Sequence, residues 1–219
     1  IARHNGATFL FTSSSEVYQT ATQIPTPETY IGAIASNNER SCYDVSKLMG
    51  ENLSYVYFKN LGVDARCIRI FNSFGPGISE KDSRILPRIG SAIVGQRPVT
   101  VFSQKVLPTR TYCPAGNTVA GMFLALLNGK AGEIYNIGLD NPEINVVQLI
   151  SIIEKECKIK VPYIIVEPED VYNDEPLRRC PDISKSKKYL GYSPKISLEL
   201  GLKFFINWAM DNYTGEIKT

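Results

Sequence analysis

Tyr43 and Lys47 stand four positions apart in the stretch Cys42-Tyr43-Asp44-Val45-Ser46-Lys47. On a helix that spacing puts both side chains on one face, with Cβ atoms about 6 Å apart. A lysine ammonium at that range favours the phenolate and draws a phenol pKa from about 10 toward neutrality, which makes the tyrosine a usable general acid/base. Upstream, Phe11 leads into four consecutive hydroxyls, Thr12-Ser13-Ser14-Ser15, and then the carboxylate of Glu16. A hydroxyl at the C-terminal end of a parallel strand lies where open α/β sheets bind ligands. Ser14 is therefore a candidate to donate to a substrate oxygen that Tyr43 deprotonates. Each feature alone is commonplace: tyrosine and lysine meet at this spacing by chance, and hydroxyls after a strand usually form turns or caps.

The elements that must position these groups are legible in the periodicity. The apolar run 7–13 reads as a buried strand. Residues 19–40, with Pro25 and Pro27, have loop composition. Val45, Leu48, Met49, Leu53, Val56 and Tyr57 recur at helical spacing and predict a helix from 41 or 43 to about 60, stopped by Asn60-Leu61-Gly62. Val63–Phe71 is the next strand and runs into the turn Gly75-Pro76-Gly77. A helix at about 83–96 and a strand at 98–102 follow. Beyond residue 105 the spacing predicts helices at 116–128, 145–157, 183–190 and 198–212 and strands at 133–138 and 161–166, with the proline-rich stretch 162–181 as a surface loop. The alternation predicts an α/β fold with a largely parallel sheet.

The 219 residues suffice for one sizeable core or for a large domain with a small lobe. A net charge of +2 gives no electrostatic argument for nucleic acid or a membrane surface as partner. No apolar run approaches the ~20 residues that span a bilayer. Cys42, Cys67, Cys113, Cys157 and Cys180 are far apart and odd in number, and His4 is the only histidine. That pattern predicts free thiols in a cytoplasmic protein, with neither a disulfide framework nor a metal site.

Taken jointly, Ser13-Ser14-Ser15-Glu16-Val17-Tyr18, the Cys42–Lys47 stretch, Arg69-Ile70-Phe71-Asn72-Ser73-Phe74-Gly75-Pro76-Gly77, Thr109-Arg110-Thr111-Tyr112, Tyr135-Asn136-Ile137-Gly138 and the run from Arg178 to Leu202 resemble the extended short-chain dehydrogenase/reductase family acting on nucleotide sugars. The resemblance runs from about residue 8 to the last helix. It implies a Rossmann-type sheet with a small α/β substrate lobe, and NAD as cofactor. Ser14, Tyr43 and Lys47 match the catalytic hydroxyl, tyrosine and lysine, with Lys47 also on the nicotinamide ribose and Phe71 beside the cofactor. Asn72 matches the contact near sugar and diphosphate. Arg179 and Asp182 match the pair on diphosphate and ribose, and Arg110 the arginine beside sugar and phosphates. Arg84 and Phe102 fall where the base and phosphates are lined. Residues 1–104 would carry the Rossmann part, with the 83–96 helix lent to the substrate lobe, and residues 105–219 mainly the nucleotide-sugar lobe.

The triplet Ser14-Ser15-Glu16 resembles the Thr-Ser-Glu of UDP-glucuronate decarboxylases, where 4,6-dehydratases carry Thr-Asp-Glu. In that reading Ser15 replaces an aspartate that would repel a substrate carboxylate, and Glu16 with Arg110 orients the sugar and manages the proton at C5. A 4,6-dehydratase, a 4-epimerase and a non-catalytic sugar-nucleotide binder are the alternatives. The sequence departs from the family in three places: no glycine-rich phosphate turn follows a first strand, Pro108 stands where glutamine is usual, and Asn117 stands near the usual aspartate. The missing turn, and the abrupt opening on Ile1, lead us to expect a preceding segment and, in the full-length protein, a homodimer built partly on the helix carrying Tyr43.

Overall fold

A computed structural model describes residues 1–34, 41–102, 106–167 and 176–216. In chain order the elements are α1 (Ala2–Asn5), β1 (Phe9–Ser14), a 3₁₀ turn (Ser15–Tyr18), α2 (Ser41–Leu61), β2 (Ala65–Ile70), β3 (Ser73–Phe74), α3 (Ile85–Val94) and β4 (Val99–Phe102). There follow β5 (Thr109–Arg110), β6 (Cys113–Pro114), α4 (Ala115–Asn128), β7 (Ile134–Ile137), α5 (Val146–Cys157), β8 (Tyr163–Val166), β9 (Arg178–Arg179), α6 (Ser184–Leu190) and α7 (Leu198–Asn212).

The main sheet has the order β1-β2-β7, all parallel, so the C-terminal ends of the three strands lie at one end. Side chains alternate across it as a pleat requires. Ile68 and Ile70 of β2 stand beside Tyr135 and Ile137 of β7, and with Ala125, Ile183, Leu190 and Tyr192 they form a core under α4 and α6. The other face carries Phe11, Cys67, Arg69 and Asn136 in register. Here α2 lies so close to β1 that a Cβ on Gly50 would come within 2.1 Å of the Phe11 ring. Arg69 is buried on this face and reaches Glu51 of α2 through Nε–Oε1 and Nη2–Oε2 bonds of 2.9 and 2.7 Å.

A second core gathers α3, β4, α5 and α7 around Ile89, Val101, Leu149, Ile153, Leu202 and Phe205. Asn145 opens α5 with a capping box closed by Gln148. Short parallel pairs, β3 with β6 and β5 with β9, tie this body to the sheet. Of the elements beyond residue 104, β7 is a strand of the main sheet and α4 packs against that sheet. The strand expected at 161–166 is β8, paired with β4, and the expected surface loop 162–181 is corrected at its other end by β9, where Arg179 is buried.

Candidate active site

The strand ends build the site. Ser14 ends β1 and caps the 3₁₀ turn, its Oγ accepting from the Glu16 amide at 3.2 Å. Above it, Lys47 reaches down from α2 and donates to the Thr12 carbonyl at 3.0 Å, its Nζ 5.5 Å from the centroid of the Tyr43 ring. Tyr43 is 50% exposed, so the phenol is open to a ligand. The expected tyrosine–lysine face is therefore present, and a backbone contact fixes its lysine to the strand that carries Ser14.

Glu16 and Arg179 meet across the site. Both terminal nitrogens of the guanidinium donate to the carboxylate, Nη2 to Oε2 at 2.9 Å and Nη1 to Oε1. Arg179, matched in sequence to a diphosphate contact, thus spends its fork on Glu16, whose carboxylate it aims. Arg110 is the register partner of Arg179 in the β5–β9 pair, so both buried arginines project from the same side of that ribbon. Arg110 donates through Nη1 to the Thr109 carbonyl at 2.8 Å. Its charge also helps hold the Glu143 carboxyl below the usual range, after the larger effect of Arg178.

Asn72 follows β2 with φ +32°, a left-handed conformation that asparagine tolerates better than other residues with a Cβ. Its Nδ2 donates to the Thr111 carbonyl at 2.8 Å, and its own carbonyl accepts from the Cys113 amide. In this way the end of β2 holds the segment that carries Arg110. Among the described residues, Ser13 Oγ, Thr111 Oγ1 and Arg179 Nε are buried without a hydrogen-bond partner. Orphaned polar atoms of this kind are rare in folded proteins, and here they lie on the segments that carry Ser14, Arg110 and Arg179.

The remaining expected residues have contacts of their own. Ser15, between Ser14 and Glu16, is buried as the first residue of the 3₁₀ turn. The Phe71 ring is 1% exposed and packs on Tyr18 at 5.9 Å, which makes it a support beneath the site and not an open cofactor contact. Asp182 accepts from the Ser184 amide at 2.8 Å and opens α6. Arg84 is exposed and forked onto Asp82; that pair raises its pKa, and the Tyr43 phenol adds a smaller part. Phe102 is half exposed under the Arg88 guanidinium at 5.0 Å. Asn117 is a buried tether, accepting from the Lys195 and Ile196 amides at 3.0 Å each and donating to the Ile196 carbonyl.

Sequence reasoning missed a hub beneath the strand ends. Asn136 accepts from the Tyr18 hydroxyl at 2.7 Å and donates through Nδ2 to the Thr26 and Asp182 carbonyls, while its amide donates to Glu28. Arg69 lies 4.5 Å from the centroid of the Tyr18 ring, and burial pushes the Tyr18 phenol up to about 12 against the pull of that cation. A buried asparagine in the middle of an apolar strand was the available signal.

A sequence profile described as the NAD dependent epimerase/dehydratase family matches residues 1–138. The chain belongs to that family. Among curated relatives, UDP-glucuronic acid decarboxylase 1 of Arabidopsis thaliana is 35% identical over 92% of this chain and 45% of its own length. UDP-glucuronic acid decarboxylase 1 of Xenopus tropicalis is 34% identical over 95% of this chain and 48% of its own length. The chain thus spans about half the length of these relatives. The solved UDP-glucuronic acid 4-epimerase from Bacillus cereus, in complex with UDP-glucuronic acid and NAD, is 27% identical with a TM-score of 0.76, covering 94% of this chain and 62% of that one. The UDP-N-acetylglucosamine 4-epimerase from Methanobrevibacter ruminantium superposes with a TM-score of 0.84 over 96% of this chain and 65% of that one, at 19% identity, which speaks to the fold alone. The α/β fold is thus of the Rossmann type shared by these epimerases. Among the described residues no helix is long and apolar enough to cross a membrane, and no cluster of His, Cys, Asp and Glu is placed to hold a metal ion. All five thiols are free.

Proposed function

We propose that this chain carries the catalytic half of an NAD-dependent nucleotide-sugar enzyme that decarboxylates UDP-glucuronate to a UDP-pentose. The observation that carries the proposal is the gathering of Ser14, the Tyr43–Lys47 face and the Glu16–Arg179–Arg110 cluster around the C-terminal end of one parallel sheet. The named decarboxylases at 34–35% identity favour this reaction over dehydration or epimerisation.

The residues fit one end of the cofactor. Tyr43 and Lys47, side by side above β1, suit the nicotinamide ribose, while the close glycine pair Gly75 and Gly77 follows β3 and gives no phosphate turn after a first strand. When bound, NAD supplies the hydride acceptor that makes C4 of the sugar a ketone and afterwards returns the hydride. Tyr43 takes the proton of the C4 hydroxyl, Ser14 donates a hydrogen bond to that oxygen, and Lys47 favours the phenolate. The resulting β-keto acid loses carbon dioxide without needing an acid for a leaving group. Glu16, aimed by Arg179, faces the proton that must be placed at C5. Arg110 supplies positive charge for the carboxylate or diphosphate, and Asn72 holds Arg110's segment. Arg84, Phe102 and Asp182 belong to the outer wall for the nucleotide.

A homodimer of the full-length protein is part of this reading, supported by the exposed row Val45, Met49, Leu53 and Val56 on α2; a monomer by light scattering would remove it. The reaction itself is tested by offering the full-length protein UDP-glucuronate, UDP-glucose and dTDP-glucose with NAD and identifying the products. Consumption of a neutral hexose nucleotide with UDP-glucuronate untouched would replace decarboxylation with dehydration or epimerisation.

A further inference from the structure

Gln19 occupies a backbone conformation, φ +51° and ψ −134°, that a residue with a Cβ rarely adopts. It ends the 3₁₀ turn that carries Glu16, and its own amide bonds the Glu16 carbonyl at 3.0 Å. The side chain then crosses to α2. Nε2 donates to Oδ2 of Asp44, the residue next to Tyr43, and also approaches the Glu16 carbonyl at 3.3 Å. Both partners are acceptors, so the amide must present its NH₂ group to them. Asp44 is 1% exposed in the first turn of α2. A neutral amide answers that carboxylate without adding a charge beside Tyr43.

From these contacts we infer that Gln19 is a positioning residue for the reaction proposed above: it clamps the first turn of α2, and with it Tyr43, to the turn that carries Glu16. Lys47 already ties the second turn of the helix to the Thr12 carbonyl. The Gln19–Asp44 bond adds an attachment at the first turn itself, ahead of the Lys47 bond and of the Glu51–Arg69 pair further along the helix. The inference concerns this residue type specifically. Glycine would relieve the backbone at position 19 and lose the clamp, whereas methionine would keep the length and the backbone strain and still lose the clamp.

The two substitutions separate positioning from folding, and both are made in the full-length protein. With the clamp as inferred, Gln19→Gly and Gln19→Met each lower kcat roughly ten- to a hundredfold, as small misplacements of reacting groups do. KM changes less than about threefold, because the uniform binding contacts are untouched. Both variants leave the buried Asp44 carboxylate without the Gln19 bond and melt below the wild type, and Gln19→Gly, relieved at the backbone, melts less far below it than Gln19→Met. In hydrogen exchange, the amides of Val45–Leu48, which bond carbonyls of the first turn, lose protection in both variants. Wild-type kcat and protection in Gln19→Gly would overturn the inference, as would activity that follows the melting temperature alone. The exchange comparison needs no substrate. It judges the clamp even if the protein proves not to decarboxylate UDP-glucuronate, so the two readings can fail separately.

Discussion

At the scale of single residues, the site is governed by who holds whom. Arg179 and Glu16 are both largely buried and are bound to each other through two hydrogen bonds. Removing one partner takes this bidentate bond from a charge in a poor solvent, at a cost of about 3–5 kcal/mol, while removing both costs much less. Glu16→Leu and Arg179→Leu are therefore expected to destabilise strongly as single variants and to couple by more than ~1 kcal/mol in a double-mutant cycle followed by urea unfolding. Additive effects would show that the pair does not act as a unit. The pairing also separates a reading made by resemblance from one made by geometry. The resemblance names Arg179, but its bond to Glu16 spans 163 positions of chain, and no local pattern could have announced it.

At the scale of elements, much was legible. The helix carrying Tyr43 was expected from 41 or 43 to about 60 and spans Ser41–Leu61; the strand expected at 63–71 spans Ala65–Ile70. Both follow from short-range periodicity, which is written in consecutive residues. The approach of α2 to β1 was not legible, because it depends on Gly50 meeting Phe11 across 39 positions of chain. Gly50→Leu is expected to push α2 off the strand and shift Tyr43 and Lys47 from Ser14, lowering kcat by roughly tenfold or more; stability also falls, because overpacking costs about 1–3 kcal/mol. Full kcat in a folded Gly50→Leu protein would mean that the helix height does not matter. The two-residue strands β5 and β9, too short for any periodicity, bring Arg110 and Arg179 together. Neither the Asn136 hub nor the conformation of Gln19 left a mark in local composition beyond one polar residue in an apolar strand.

At the scale of the whole molecule, the buried acids set the response to alkali. Burial pushes Cys67 from 9.0 up to about 11 and Tyr18 from 10.0 up to about 12. A group whose folded pKa is raised contributes stability that is complete below its unfolded pKa and is lost as pH rises through the folded value. For Cys67 that window is about pH 9 to 11, and for Tyr18 about pH 10 to 12. The melting temperature of the full-length protein should therefore fall above pH 9, and Cys67→Ala should flatten the part between pH 9 and 11. An unchanged slope in that variant would contradict the assignment. Lys47 and Arg69 draw β1, β2 and α2 into one body, and β9 brings Arg179 to it from the far end of the chain. The Tyr43 face and the arginine cluster are therefore both tied to the sheet.

The proposed reaction begins with Tyr43 taking the C4 hydroxyl proton and ends in loss of the sugar carboxylate. Its most direct test is release of carbon dioxide from carboxyl-labelled UDP-glucuronate by the full-length protein with NAD, for the wild type and for Tyr43→Phe. One labelled carbon dioxide is expected for each UDP-pentose formed by the wild type, with release abolished in Tyr43→Phe and substrate binding largely kept. Release at the wild-type rate from Tyr43→Phe, or turnover of UDP-glucuronate with the label retained in the sugar, would contradict it.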